Sequence, residues 1–205
     1  MPPRMPRKPQ QERARATVDA IVEAGLMLLA SEGPKATTTR RIAEVAGVGV
    51  GSVYEYFADR EAVHKAMFQR MVEDAAAMIK PLIPTLVRMP LREATYELLC
   101  KVRELLERDD GRYLLCLKHG MSLARAYPLK PLQKVLAELT MQYVMHHPEL
   151  MRSRNMPTLG YIFIYGGTFA VIRHLADPAP PISFDELAHG LADMVTYTAE
   201  GSLRG

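Results

Sequence analysis

The chain has 205 residues, 48% of them hydrophobic and 24% charged, with only 13 Gly and 15 Pro; this is the balance of a globular core and excludes fibrous or disordered classes. Cys100 and Cys116 are too few for a disulfide framework, and the first residues lack the apolar stretch of a secretory signal, so a cytoplasmic protein is expected. The formal net charge is only +3, yet residues 1–15 set Arg4, Arg7, Lys8, Arg13 and Arg15 against Glu12 alone, and such an arm on a near-neutral body predicts a polyanionic partner.

No segment sustains period-two alternation, whereas apolar residues recur every three or four positions, so the expected fold is all-α, with nine helices in two domains. The first helix is expected from Gln10 to Ser31, with Val18, Ile21, Val22, Gly25, Leu28 and Leu29 on one face and Gly33-Pro34 as its stop. Thr37, Thr38 and Thr39 supply caps for a short second helix ending at Ala46, where Gly47 breaks it, and a third runs from Gly49 to Tyr56. Asp59 caps a fourth that ends before Pro81 and Pro84. Longer helices follow at Leu91 to Arg108, Gly111 to Ala126 and Leu129 to His146, punctuated by Pro128, Pro131 and Pro148. The last two are Pro157 to Ala176 and Ser183 to Glu200, the latter opened by the capping box Ser183-x-x-Glu186. Asn155 to Ile172 lacks any formal charge over 18 residues, the lower limit for a membrane span. Its Asn, Pro and glycines fit a buried helix of a soluble protein better, and no membrane partner is expected.

Residues 37–60, TTTRRIAEVAGVGVGSVYEYFADR, have the grammar of a helix-turn-helix: a capped short helix, a glycine turn, and a second short helix ending in aromatics. Ile42 with Val45 or Ala46, and Val53 with Phe57, form facing apolar sides that leave the outer side of the third helix free for a DNA groove. The run Thr38 to Arg60, with Ile42-Ala43, Ala46-Gly47-Val48, Gly51-Ser52-Val53-Tyr54 and Tyr56-Phe57, resembles the DNA-binding signature of the TetR family of transcriptional regulators. Helix number and length beyond it are also similar to that family, whose members are dimers.

The resemblance implies roles for individual residues. Thr38 belongs to the DNA-binding set, Thr39 binds phosphate at the start of the second helix and Arg40 reaches a base edge. Tyr54 and Tyr56 give hydroxyls to phosphates, Ser52 contacts backbone or base, and Val50 meets a thymine methyl. Arg60 binds phosphate at the start of the fourth helix. Gly49 stands where a polar cap is usual, and Val50, Gly51 and Glu55 leave the third helix without a cation. Glu55 can accept from a cytosine amino group, face solvent or pair with Arg60. Residues 16–60 contain Lys35, Arg40, Arg41 and Arg60 against six acids, so Arg4, Arg7 and Lys8 of the arm are expected to supply much of the general attraction to DNA.

The expected domains are a flexible basic arm (1–9), a helix-turn-helix domain (10–58), a connecting helix (59–80) and an effector-binding and dimerisation domain (81–205). A middle-helix pocket for a small apolar or amphipathic effector is expected among Leu98, Leu99, Val102, Leu105, Cys116, Met121, Met141, Tyr143 and Met145. Ile162, Tyr165, Phe169 and Ile172, with Gly166 and Gly167, form one stripe, and Leu187, Leu191, Met194 and Thr198 another. By the resemblance these build a four-helix dimer interface, which sets two recognition helices one DNA turn apart on a palindromic operator.

No H-x3-H pair, CxxC, phosphate loop or G-x-S-x-G occurs, so neither catalysis, nor a metal, nor a cofactor is expected. Two alternatives remain: a redox-responsive regulator switching through Cys100 and Cys116, and a protein of this fold that no longer binds DNA. The function expected is a homodimeric DNA-binding regulator, a repressor released by its effector.

Overall fold

The computed structural model describes residues 7–124, 129–152 and 155–203, with side chains described from residue 11 onward and not over 119–124. Among the described residues there are no strands and eight helices of seven or more residues. These are α1 (Arg7–Glu32), α2 (Thr39–Ala46), α3 (Val50–Tyr56), α4 (Arg60–Ile79), α5 (Leu91–Ala124), α6 (Lys130–His146), α7 (Met156–Ala176) and α8 (Phe184–Gly201). A short turn, Lys80–Leu82, and one helical turn, Ile83–Leu86, join α4 to α5.

Eight replaces the expected nine because the segments beginning at Leu91 and Gly111 join into one run, Leu91–Ala124. The boundary read from sequence survives as a kink: Arg108 is extended (ψ 155°), and Asp109, Asp110 and Gly111 all take left-handed conformations with φ of 51°, 59° and 69°. Asp tolerates that region better than most residues, through its short polar side chain. Helix α1 begins at Arg7 rather than Gln10, so part of the expected arm is helical.

Stops and starts follow local chemistry. Gly33 (φ 80°) ends α1, and buried Thr37 donates its hydroxyl to the Gly33 carbonyl at 2.9 Å, closing the turn into α2. Ser183 and Glu186 form the reciprocal capping box at the start of α8.

One buried core runs from Ile21, Leu26, Ile42 and Val53 through Val63, Met67 and Phe68 to Leu106, Tyr113 and Leu117 of α5. The three N-terminal helices and the kinked helix therefore share a single apolar interior. Gly25 permits the close approach of α1 to α4, since a Cβ there would sit 2.8 Å from the Met67 sulfur. A second cluster, including Ile79, Ile83, Leu86, Val135 and Tyr143, fills the opposite end. At the junction Arg112, just past the kink, pairs with Glu23 of α1 and with Asp109 at 3.2 Å, while Arg70 of α4 pairs with Asp19 and Tyr113 donates to Asp74.

Candidate functional site

Thr38 is the residue that caps α2: its backbone is extended (φ −95°, ψ 154°) and its hydroxyl accepts the Arg41 N–H at 3.3 Å. Left-handed Gly47 (φ 68°) ends that helix after two turns, and the Val48 N–H returns to the Ala43 carbonyl at 3.0 Å. Gly49 caps α3 with backbone alone, so α3 begins at Val50. The seven residues of α3 span about 10 Å, short enough to enter a major groove about 12 Å wide. Ile42 and Ala43 of α2 and Val53 of α3 are its buried anchors, with Phe57 behind them. Val45 is 40% exposed, so Ala43 and Ala46, not Val45, complete the inner face of α2.

The opposite face is assembled from the expected residues. Val50 is 41%, Tyr54 54% and Tyr56 40% exposed, and Gly51 and Glu55 are also on the surface. Tyr54 is therefore no core residue. Its hydroxyl lies 3.2 Å from Thr39 Oγ1, which ties the two short helices together at their outer edge with polar atoms only. Ser52 is half-buried, and a Cβ on Gly51 would touch nothing within 4 Å.

The two arginines of α2 divide their tasks. Arg41 is folded back onto Glu32 at 2.6 Å and Glu44 at 2.9 Å, which hold its guanidinium even more firmly protonated than usual. Arg40, next to it, is exposed and makes no ion pair among the described residues. Arg60 opens α4, and Asp59 caps it by accepting the Ala62 N–H at 2.8 Å. Arg4 lies outside the described residues, as do the side chains of Arg7 and Lys8.

Behind this face, α4 to α8 line a partly open cavity of about 260 Å³. Leu98, Leu99, Val102 and Tyr143 line it as expected. Leu105 and Cys116 do not: both are buried in the core shared with α1 and α4. Met141 and Met145 are 59% and 66% exposed, on the side of α6 turned away from the cavity, and the Met121 side chain lies outside the described residues. Much of the wall comes instead from α4 (Met71, Val72, Ala75) and from α7 (Phe163, Ile164, Val171).

Helix α7 explains why sequence reading missed that wall. Up to Ile172 it carries no charged side chain, and such a helix has two apolar faces to satisfy. Ile162, Tyr165 and Phe169 are 52%, 44% and 56% exposed, with Gly166 beside them, whereas Ile172 lines the cavity. Residues Phe163–Gly167 widen into one π-helical turn, in which Phe163, Ile164 and Gly167 line the cavity while Tyr165 and Gly166 lie on the surface. On α8, Met194 is 48% exposed, Thr198 donates its hydroxyl back to the Met194 carbonyl, Leu187 packs on the core and Leu191 lines the cavity. Tyr161 and Tyr197 extend the outer patch at 63% and 71% exposure, and the Tyr161 ring stacks on Tyr165 with centroids 4.5 Å apart. Helix α7 has the length and mean hydropathy (1.2) of a membrane-crossing helix, but its inner side walls a protein cavity.

Both cysteines are free, and burial pushes the Cys116 thiol up to about 12. Exchange needs the thiolate, so Cys116 is poorly suited to a redox switch.

A family model described as bacterial regulatory proteins of the tetR family matches residues 21–67, which span the second half of α1 through the first part of α4. Among solved structures, the chain is similar to a TetR-family transcriptional regulator from Mesorhizobium loti (TM-score 0.63, 16% identity, 92% of this chain and 97% of the other covered). It is also similar to the TetR-family repressor AlkX from a Dietzia strain, implicated in biodegradation of n-alkanes (TM-score 0.61, 21% identity, 90% and 95% covered). A third is the fatty acid degradation regulator FadR from Bacillus halodurans (TM-score 0.58, 17% identity, 87% and 97% covered). No curated protein matches the chain.

Proposed function

We propose that this chain, a TetR-family transcriptional regulator by its DNA-binding domain and its fold, works as a homodimeric repressor that a small apolar or amphipathic effector releases from a palindromic operator. The observation that carries this is the outer face of α2 and α3: Arg40, Val50, Gly51, Tyr54 and Tyr56 stand exposed, with Thr39 half-buried beside them, on two helices whose inner faces pack on the core. Residues 10–58 act as the DNA-binding domain, 59–80 as the connecting helix and 81–205 as the effector and dimerisation region.

The second copy of the chain covers the exposed apolar patch on α7 and α8. Monomers rarely leave large apolar side chains grouped in this way, and Tyr161, Ile162, Tyr165, Phe169, Met194 and Tyr197 form such a group. A two-fold axis through that patch doubles α3 and so doubles the DNA half-site. The effector occupies the 260 Å³ cavity, whose wall in α7 backs directly onto the dimer patch.

The test is selection of bound duplexes from a random DNA pool by the purified protein at about 150 mM salt, a concentration at which non-specific attraction is weak. An enriched palindrome with half-sites one helical turn apart supports the reading. No enrichment by a folded dimer would replace it with a protein of this fold that has lost DNA binding.

A further inference from the structure

Among the described residues, no acidic, basic or amide side chain lines the cavity between α4 and α8. Its polar groups are four hydroxyls, those of Thr95, Thr140, Tyr143 and Thr168. Three of them are already donating: Thr95 to the Leu91 carbonyl at 2.8 Å, Thr140 to the Leu136 carbonyl at 2.9 Å and Tyr143 to the Met89 carbonyl at 2.8 Å. A hydroxyl has one proton to give and lone pairs left to accept with. Those three can therefore receive a hydrogen bond from a ligand O–H, and could give one to a carboxylate oxygen only by leaving a backbone carbonyl unpaired, so Thr168 alone is left as a ready donor.

Transfer of an ionised carboxylate into apolar surroundings without a cation or a set of donors is far more costly than transfer of the matching alcohol or hydrocarbon. Size adds a second constraint. A 150 Å³ apolar cavity holds benzene, six carbons, so about 260 Å³ corresponds to about ten.

We propose that the cavity takes an uncharged alkyl chain of about ten carbons, an alkane or alkanol, and discriminates against the carboxylate of the same length. The proposal deepens the effector reading above and rests on it. Recognition is by shape and by the absence of charge among the described lining residues: the Leu and Val walls offer apolar surface to the chain, and an alkanol O–H can be received by the spare lone pairs of Thr95, Thr140 or Tyr143.

The experiment is calorimetric titration of the full-length protein at pH 7.5 with 1-decanol and, separately, with decanoate below its micellar concentration. Decanol is expected to bind at least about tenfold more tightly, since an unpaired buried charge costs more than the 1.4 kcal/mol that a factor of ten represents. Leu98→Trp, which fills the space, abolishes decanol binding, and Ile164→Trp serves if the first variant does not melt cooperatively. Decanoate binding as tightly as decanol, decanol binding unchanged in the filled variant, or no binding of either compound overturns the proposal. DNA affinity is read separately: decanol that binds as expected but leaves DNA affinity unaltered refutes the effector reading while the ligand class stands.

Discussion

Thr39 Oγ1 and the Tyr54 hydroxyl lie 3.2 Å apart, joining the start of α2 to the outer face of α3 where neither group is needed to fill the core. A hydroxyl pair at that place suits a phosphate, since each oxygen can turn its proton outward once an anion arrives. Tyr54→Phe is expected to weaken operator binding about tenfold, the size of a hydrogen bond to a charged group, with the melting temperature almost unchanged. The double change Thr39→Val with Tyr54→Phe is less than additive, because the two hydroxyls serve one site. Fluorescence anisotropy on the selected operator, beside circular dichroism melts, checks both statements.

Arg40 and Arg41 adjoin in sequence but part company in structure. Arg41 is held by Glu32 and Glu44, whereas Arg40 is exposed on the outer face. Arg40→Ala is expected to cost about 1–3 kcal/mol of operator binding if it reads a base edge, and to relax the consensus at one position of each half-site. Arg41→Ala leaves the consensus intact. Equal losses for the two variants, measured by the same anisotropy titration, would show that α2 docks differently.

Gly51 sits inside a helix with open space where a Cβ would go, so packing within the chain does not require it. Glycine in a helix costs about 0.5–1 kcal/mol relative to alanine. Gly51→Ala is therefore expected to raise the melting temperature by about 2 °C and to weaken operator binding, because the added methyl stands between α3 and the groove. A stabilised variant with unaltered DNA affinity would place Gly51 away from DNA.

His64 lies behind the helix-turn-helix with its Nε2 buried and unpartnered. Burial, then the neighbouring Arg60 charge, lower its pKa, partly offset by a hydrogen bond with the Thr37 backbone and by Glu61. Between the ordinary value of about 6.5 and the lowered one, the unfolded chain binds a proton that the folded chain refuses, so stability falls as pH falls through that window. Melting temperature is expected to drop on going from pH 7.5 towards 5, and His64→Gln removes part of that slope. Identical slopes in both proteins would exclude His64 as a contributor.

The N-terminal third was largely legible in the sequence because its signals are local. Thr38 and Gly47 bound α2, Val53 and Phe57 turn inward, and Ser183 with Glu186 sets the start of α8 by the same kind of short-range chemistry. The cavity was legible only in part. Leu98, Leu99 and Val102 follow helical spacing, but whether Leu105 or Leu106 faces the space depends on the kink at residues 108–111, which is settled by tertiary packing. Methionine suits irregular cavities, which favours Met141 and Met145 as wall, but periodicity alone does not say which face of α6 turns inward. The double duty of α7 is hidden for the same reason, since a helix without a charge before Arg173 carries no polar stripe to mark its outer side.

Ile162 and Phe169 stand outward on α7 and support neither the core nor the cavity. Ile162→Glu with Phe169→Glu is expected to give a folded monomer by sedimentation, with helicity retained and operator affinity reduced at least about tenfold, since two buried unpaired carboxylates oppose association. A dimer that survives both changes would move the interface elsewhere.

The measurement that bears most directly on a two-fold DNA reader is the affinity for the selected palindrome compared with the same duplex carrying five extra base pairs between its half-sites. Five base pairs are about half a helical turn and put the second half-site on the opposite face of the DNA. A dimer that presents two α3 helices on one side must lose at least about a hundredfold in affinity, down to that of a single half-site. Equal affinity for the two duplexes would contradict the account.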